Sequence, residues 1–312
     1  MSLLTPLFTV LPVFALIFAG WGARKTQVLG PHATRELNRF VVWLALPALL
    51  FDIVAHARFA TLWQPGFIAA FSLGCFGVFA ITLALRWRSR HLADAAIDGL
   101  NAAYGNTGFV GFPLAAAVFG AAALTPTLIA AILTVCVLFG VAIILIEAGL
   151  QGEAHPLHIV GKVLLSLARN PLLAAPAVAL IVPLSGITLP APVDSFLKLL
   201  GGAASPCALV ALGLFLAEKQ PGGHASTGET ALLVLLKLVA QPVLTWLCAV
   251  YLLHLPAAET RMCVVLAALP TGTGPFMLAE FYSREATVTS RAILVSTVVS
   301  LVTVTCLLTV PI

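Results

Sequence analysis

Two interruptions rich in glycine and proline lie within apolar stretches, one in each half of the chain. The first reads Asn-Thr-Gly-Phe-Val-Gly-Phe-Pro from Asn106 to Pro113, and the second reads Pro-Thr-Gly-Thr-Gly-Pro from Pro270 to Pro275. A proline inside a helix removes a backbone hydrogen bond. At membrane depth such a break is tolerated only where protein or a water-filled cavity satisfies the freed groups. Paired breaks in the two halves of a membrane protein are typical of a transporter's substrate site.

The residues of the two breaks have the chemistry to bind a small anion. Pro113 and Pro275 suit the first turn of a new half-helix, whose positive N-terminal end would face the middle of the membrane and favour an anion. The alternative is an ordinary pair of kinks, since glycine and proline are common in membrane helices. The predicted substrate-binding residues are Asn106, Thr107, Gly108, Pro113, Pro270, Thr271, Gly272, Thr273 and Pro275.

The composition shows that the elements carrying these breaks must face lipid. The 312 residues are 61% hydrophobic and only 9% charged, with a mean hydropathy of +1.08. A water-soluble core could not absorb that much apolar surface. The six cysteines lie in apolar runs without CxxC spacing, which favours small buried residues over disulfides or metal ligands. The net charge of +4 needs no nucleic-acid partner, because the basic residues cluster in alternate loops.

Hydropathy predicts an all-α integral membrane protein with ten transmembrane helices, each able to cross about 30 Å of hydrocarbon. Twelve lysines and arginines lie at or beside the loops after the odd-numbered spans, whereas the opposite loops hold only Arg58 and Arg261. By the positive-inside rule both termini face the non-cytoplasmic side of the inner membrane. The spans are 6–22, 38–56, 66–86, 95–119, 124–147, 168–184, 192–217, 229–252, 258–282 and 287–310.

The ten spans divide into two halves of five, at residues 1–150 and 168–312, joined by a short cytoplasmic linker at 151–167. An odd number of spans per half forces the two halves to insert in opposite senses, so that any similarity between them is an inverted repeat. Aligning Pro47 of span 2 with Pro206 of span 7 also aligns Arg39 with Lys198. The interruptions in spans 4 and 9 then become repeat partners. The residues predicted to support these breaks are Pro47, Asp52, Ser205 and Pro206.

Motifs along nearly the whole chain resemble those of the auxin efflux carrier family, in particular its bacterial malonate and malate permeases. The resemblance implies two inverted five-helix repeats with crossing broken helices 4 and 9, a homodimer and elevator-type alternating access. Plant members carry Asn-Pro-Asn at the crossover, whereas Pro113 here stands seven residues after Asn106, which favours a small carboxylate over auxin. The matching motifs are Leu37-Asn38-Arg39-Phe40, 45–51, 106–114, Arg169-Asn170-Pro171, 206–213 and 269–272 with Phe276 and Ala279.

Few ionisable residues fall inside the spans, where burying a charge is costly. Asp52 follows Pro47 in span 2 and is a candidate ligand for a coupling proton or sodium ion, or else an interfacial carboxylate. Lys198 and Lys237 could balance substrate charge, or their long stems could extend to the interface. The histidines fall in or beside loops, so we predict no metal site and no cofactor beyond a coupling ion.

Other classes of membrane protein remain as alternatives to a secondary active transporter for an organic anion. Asp94 and Asp98 form an Asp-x-x-x-Asp that could hold Mg²⁺ and a lipid diphosphate in an intramembrane enzyme, but the chain lacks a second acidic cluster. It also lacks a Walker A motif. A channel, or a carrier similar to the sodium/bile-acid symporters, would fit the same composition. We predict a transporter and not an enzyme.

Overall fold

The computed structural model describes residues 4–56, 59–150, 170–218 and 227–309, so the predicted linker at 151–167 lies outside the described residues. Within those ranges every regular element is a helix. The principal helices are α1 (Leu4–Lys25), α2 (Ala33–Ala55), α3 (Pro65–Arg86), α4 (Leu92–Ala103), α5 (Phe112–Phe119), α6 (Leu124–Leu150), α7 (Pro171–Ser185), α8 (Ala191–Ala217), α9 (Thr227–Leu252), α10 (Ala257–Ala267), α11 (Gly274–Phe281) and α12 (Thr287–Thr309).

Six of these helices, α2, α3, α6, α8, α9 and α12, are long and apolar enough to cross a membrane. This confirms the prediction of an all-helical integral membrane protein. Helix α1 overlaps the first predicted span, and the shorter apolar helix α7 overlaps the sixth. At the fourth and ninth predicted spans the structure has two shorter helices in succession, α4 with α5 and α10 with α11, because the chain is interrupted between them.

In two of the long helices, α2 and α9, a widened turn precedes a proline. A proline cannot donate a hydrogen bond to the carbonyl four residues before it. Helix α2 has a π-helical turn at Val41–Ala45, ahead of Pro47, and α9 has one at Leu236–Ala240, ahead of Pro242. Such single wide turns are frequent at functional sites. Both helices therefore pass their prolines without ending.

Glycines let α1 and α8 pack backbone against backbone. A Cβ atom added at Gly20 would overlap the carbonyl oxygen of Val210, and one added at Gly213 would overlap that of Ile17. Helices in lipid associate through small residues of this kind, because lipid tails provide no hydrophobic force between them. The contact fixes the position of α8, whose other end packs against α2 at Gly201.

The best-packed part of the molecule lies around the two interruptions. Phe71 of α3, Leu100 of α4, Phe139 of α6 and Phe276 of α11 are all completely or almost completely buried. The periphery instead exposes large apolar side chains such as Leu199, which suits a surface that faces lipid. The dense centre holds the ends of the short helices in fixed positions.

Candidate functional site

The two interruptions meet in the structure and hydrogen-bond to each other. The Asn106 amide donates to the Pro270 carbonyl at 2.8 Å, and the Gly272 amide donates to the Tyr104 carbonyl at 3.0 Å. Gly105 and Thr271 form an isolated antiparallel bridge between the two breaks. Each break thus satisfies backbone groups that the other leaves without a helical partner, as a broken helix at membrane depth requires. This pairing could not be read from either stretch alone.

The carboxyl ends of α4 and α10 are each met by a side chain from a neighbouring helix. The Lys237 ammonium of α9 donates to the Ala267 carbonyl at 2.8 Å, and the Cys75 thiol of α3 donates to the Ala103 carbonyl at 3.5 Å. Carbonyl groups at a helix C-terminus have no partner within the helix and carry the negative end of its dipole. A cation is therefore well placed at the end of α10.

A cavity of about 250 Å³ lies beside the paired breaks, between them and helices α2, α6 and α8. Leu46 and Leu49 of α2, together with Val135 of α6, contribute apolar side chains to its lining, and Gly201 of α8, which packs against Leu49, also lines it. The predicted site residues in its lining are Asn106, Thr107, Gly108, Ser205, Gly272 and Thr273. The structure therefore brings residues of both breaks together around one small space of mixed polarity.

Three predicted site residues, Pro270, Thr271 and Pro275, lie outside the lining of this cavity. The Thr271 hydroxyl donates to the Asn101 carbonyl at 2.8 Å, and the Thr271 amide donates to the Ser296 hydroxyl at 3.1 Å. Thr271 therefore ties the second break to α4 and α12. A binding role for these three residues, and for Pro113, stays a prediction, and the contacts of Thr271 give it a structural role.

The helical chain after the first break begins earlier than the sequence suggests. A π-helical turn at Thr107–Gly111 runs directly into α5, so Pro113 lies inside a helical segment that begins at Thr107. The wide turn contains the residue four positions before this proline, as in α2 and α9. After the second break, α11 begins at Gly274 with Pro275 in its first turn, as predicted.

Thr107 lines the cavity and carries a buried hydroxyl group. The residue is 1% exposed, and its Oγ1 atom has no hydrogen-bond partner among the described residues. Burying a hydroxyl without a partner is unfavourable, so a ligand that accepts this hydrogen bond would remove the penalty. Asn106 and Thr273, also buried, add an amide and a second hydroxyl to the same wall. Together these groups suit a ligand with several acceptor oxygens.

Tyr104, which the sequence analysis did not single out, shapes the second break. A Cβ atom added at Gly272 would lie 2.8 Å from its ring, and one added at Gly274 would lie 2.7 Å from it. The ring also packs against Phe139, with centroids 5.6 Å apart. Its place next to Gly105, just before the break, was the signal in the sequence. The two glycines are thus required by close contact with an aromatic ring.

The support residues divide between the cavity and its surroundings. Ser205 lines the cavity, and Pro47 lies between two lining residues of α2 without lining it. Pro206 follows Ser205 in α8. Asn38 of the first family motif donates from its amide to the Met277 carbonyl at 3.3 Å, which ties α2 to α11. These contacts position the wall of the cavity.

Asp52 lies in an ion cluster that joins the end of α2 to the start of α8. The two imidazole nitrogens of His56 lie 3.0 Å from carboxylate oxygens of Asp52 and Asp194, and Lys198 lies 2.8 Å from Asp194. The ligand atoms of Asp52, His56 and Asp194 lie close enough together to hold a metal ion. Both nitrogens of His56 already face carboxylates, which gives the cluster a structural explanation. A coupling role for Asp52 stays a prediction.

The Asp94 and Asp98 carboxylates, considered above for a magnesium site, are each engaged by arginine. Arg284 forms hydrogen bonds to both carboxylate oxygens of Asp94. Asp98 lies 3.3 Å from Arg86 and 3.5 Å from Arg90. Their negative charges are therefore balanced within the protein, which disfavours a second positive partner such as Mg²⁺.

The two lysines weighed as charge-balancing residues differ in their surroundings. Lys198 is exposed and paired with Asp194, in agreement with an interfacial position. Lys237 does not extend to the interface, because its side chain is completely buried. Among the salt bridges of the described residues none includes Lys237, which instead donates to a backbone carbonyl.

The chain is similar over most of its length to bacterial proteins named as transporters. A model of a family described as membrane transport protein matches residues 6–308. The "Putative malonate transporter" of Rhizobium meliloti is 31% identical, over 96% of this chain and 93% of the relative. "Uncharacterized transporter YfdV" of Escherichia coli is 26% identical, over 89% and 90%. "Auxin efflux carrier component 8" of Arabidopsis thaliana is 28% identical, over 38% and 32%.

Proposed function

Because the chain belongs to the membrane transport protein family, we propose that it is a secondary active transporter that carries a small carboxylate across the inner membrane. The predicted resemblance to the auxin efflux carrier family is confirmed by the family match and by the similarity to a plant carrier component. The relatives that cover most of the chain are named as transporters. The protein is thus a multi-pass membrane transporter and not an enzyme.

The cavity at the paired breaks is the observation that carries the proposed substrate class. Its volume of about 250 Å³ suits a molecule of a few carbon and oxygen atoms. The hydroxyl of Thr107 and the amide of Asn106 offer donors, and the helical chain that begins at Thr107 adds the positive end of a helix dipole. A relative that covers nearly the whole chain carries malonate in its name. These features together favour a small mono- or dicarboxylate.

The packing of the helices supports an inverted repeat of two five-helix halves. Helix α1 of the first half packs on α8 of the second, and α7 of the second packs on α2 of the first. These two contacts exchange when the halves are exchanged, as a pseudo-two-fold axis requires. The same exchange relates the breaks that meet at the cavity. We further propose ten membrane crossings with both termini outside, because this arrangement places the basic loops in the cytoplasm.

Elevator-type alternating access and a homodimer complete the proposal, and both rest on the family to which the chain belongs. In an elevator the paired breaks would move as one body against α2 and α8, which carry the facing wall of the cavity. The substrate would then meet each side of the membrane in turn without a continuous pore. This differs from a channel, whose flux does not show counterflow.

Uptake into proteoliposomes tests the proposed function directly. Purified protein should take up labelled malonate, malate, succinate or acetate with saturable kinetics, and unlabelled substrate inside the vesicles should accelerate entry. Proton and sodium gradients are imposed separately, since sodium dependence would favour a carrier similar to the sodium/bile-acid symporters. Flux that rises linearly with concentration and shows no counterflow would instead identify a channel. No uptake of any carboxylate would contradict the substrate class.

A further inference from the structure

The Lys237 side chain is completely buried in the middle of the fold, close to the paired breaks. It belongs to the π-helical turn Leu236–Ala240 of α9, and its ammonium donates to the carbonyl of Ala267, the last residue of α10. A lysine is almost never fully buried without a partner of opposite charge. The described salt bridges do not include Lys237, and its partner is a backbone carbonyl, to which a neutral amine can donate a hydrogen bond as well as an ammonium.

Gly105 lies next to both the cavity and Lys237. It lines the cavity, and a Cβ atom added to it would lie 3.8 Å from the Lys237 Nζ atom. Among the described residues, the titratable group that faces Lys237 is the Cys75 thiol of α3, which donates to the Ala103 carbonyl at the end of α4. An anion in the cavity next to Gly105 would therefore lie close to the positive charge of Lys237.

We propose that Lys237 couples anion transport to protons: it carries a proton when an anion occupies the cavity and releases that proton when the anion leaves. This inference rests on the proposed function and adds the coupling ion to it. Burial in a medium of low dielectric constant disfavours a charged ammonium, and a nearby negative charge favours it. Anion binding and protonation of Lys237 therefore strengthen each other by the same factor.

The proton balance follows from this linkage. On the side where the substrate enters, the neutral amine takes one proton from water as the anion binds, so the occupied cavity gains one positive charge together with the negative charge of the substrate. On the other side the anion leaves and the amine returns the proton to water. The carrier thus moves one proton with each anion and needs no sodium. Asp52 lies in a separate ion cluster with His56 and Asp194.

Two substitutions of Lys237 separate charge from proton release. Lys237→Met removes the charge and should raise the half-saturation concentration for a dicarboxylate about ten- to a hundredfold and abolish accumulation driven by a pH gradient. Lys237→Arg keeps a permanent charge, because a guanidinium does not lose its proton in proteins. It should retain counterflow exchange and lose pH-driven accumulation. Lys198→Met, at an exposed lysine paired with Asp194, is the matched control and should leave the pH dependence unchanged.

The experiment compares these variants in proteoliposomes at equal protein content, with labelled malonate, imposed pH gradients and a pH-sensitive dye in the vesicles. In the wild type, addition of malonate should acidify the vesicle interior by one proton for each anion taken up. If Lys237→Met accumulates malonate under a pH gradient to the wild-type level, the inference is overturned. If the variants do not fold, the dye measurement on the wild type decides: saturable uptake without proton movement overturns the coupling role and leaves the proposed function intact.

Discussion

Replacing Thr107 by valine should weaken substrate binding while leaving the unoccupied protein at least as stable. The side chain is 1% exposed and its hydroxyl has no partner among the described residues, so valine fills the same space without the polar atom. A hydrogen bond from this hydroxyl to a carboxylate is worth about 1.5–3 kcal/mol. Because about 1.4 kcal/mol corresponds to a factor of ten, the half-saturation concentration should rise about ten- to a hundredfold.

The stability of the same variant should move in the opposite direction. A buried hydroxyl without a hydrogen bond costs about 1–3 kcal/mol in proteins, and valine removes that penalty. The Tm of Thr107→Val in detergent should therefore equal or exceed that of the wild type. Added malonate should raise this Tm less than it raises the wild-type Tm, since ligand stabilisation follows affinity.

Thr127→Val provides the matched control, because Thr127 is also buried but lies outside the lining of the cavity. Its hydroxyl donates to the Ala123 carbonyl at 2.7 Å, so this variant should lose about 1 kcal/mol of stability and transport with wild-type kinetics. Both variants are measured by uptake of labelled malonate and by thermal unfolding. An unchanged half-saturation concentration in Thr107→Val would refute a substrate contact at this hydroxyl.

Three further predictions concern the cavity, the helix packing and the topology. Asn106→Ala should raise the half-saturation concentration about ten- to a hundredfold, since a hydrogen bond to a charged group is worth about 1.5–3 kcal/mol; unchanged uptake kinetics at equal membrane abundance would contradict this. Gly213→Val should lower Tm, because its side chain would overlap the Ile17 carbonyl, at a cost of about 1–3 kcal/mol. Gly22→Ala on α1 meets no atom within 4 Å and should leave Tm unchanged. In a cysteine-free background, a cysteine near Gly222, outside the described residues, should be protected from an impermeant reagent applied outside, whereas one at the N-terminus should be labelled; the reverse pattern would overturn the predicted orientation.

The helices themselves were largely predictable from the sequence. The hydropathy pattern located helices such as Pro65–Arg86 and Thr287–Thr309 to within a few residues. This works because lipid offers no hydrogen bonds, so each crossing segment must form its backbone hydrogen bonds within a helix. Such a helix is recognisable in the sequence as an apolar run of matching length. The two breaks were also visible in the sequence, because glycines and prolines interrupt these apolar runs. The start of the first half-helix was not, because the structure adds a wide turn at Thr107–Gly111 ahead of the helix that contains Pro113.

Side-chain orientation at the site was decided by the tertiary structure. Thr107 and Thr271 occur in the same kind of motif, yet the first lines the cavity and the second bonds to Asn101. A sequence gives the order of residues around a helix or break but not which face its neighbours cover. The same limit applies to Lys237, whose stem was long enough to reach the interface but whose helix turns it towards the end of α10.

The sequence by itself determined that this chain resides in lipid, where its helices run and where two of them break, because each of these properties is set by the local pattern of apolar residues, glycines and prolines. Only the tertiary structure decided that the breaks pair through Asn106 and Pro270, that a cavity opens beside them and that a lysine lies behind it. Those features join residues about 130 to 160 positions apart, and their contacts come from the packing of whole helices, which no local pattern records.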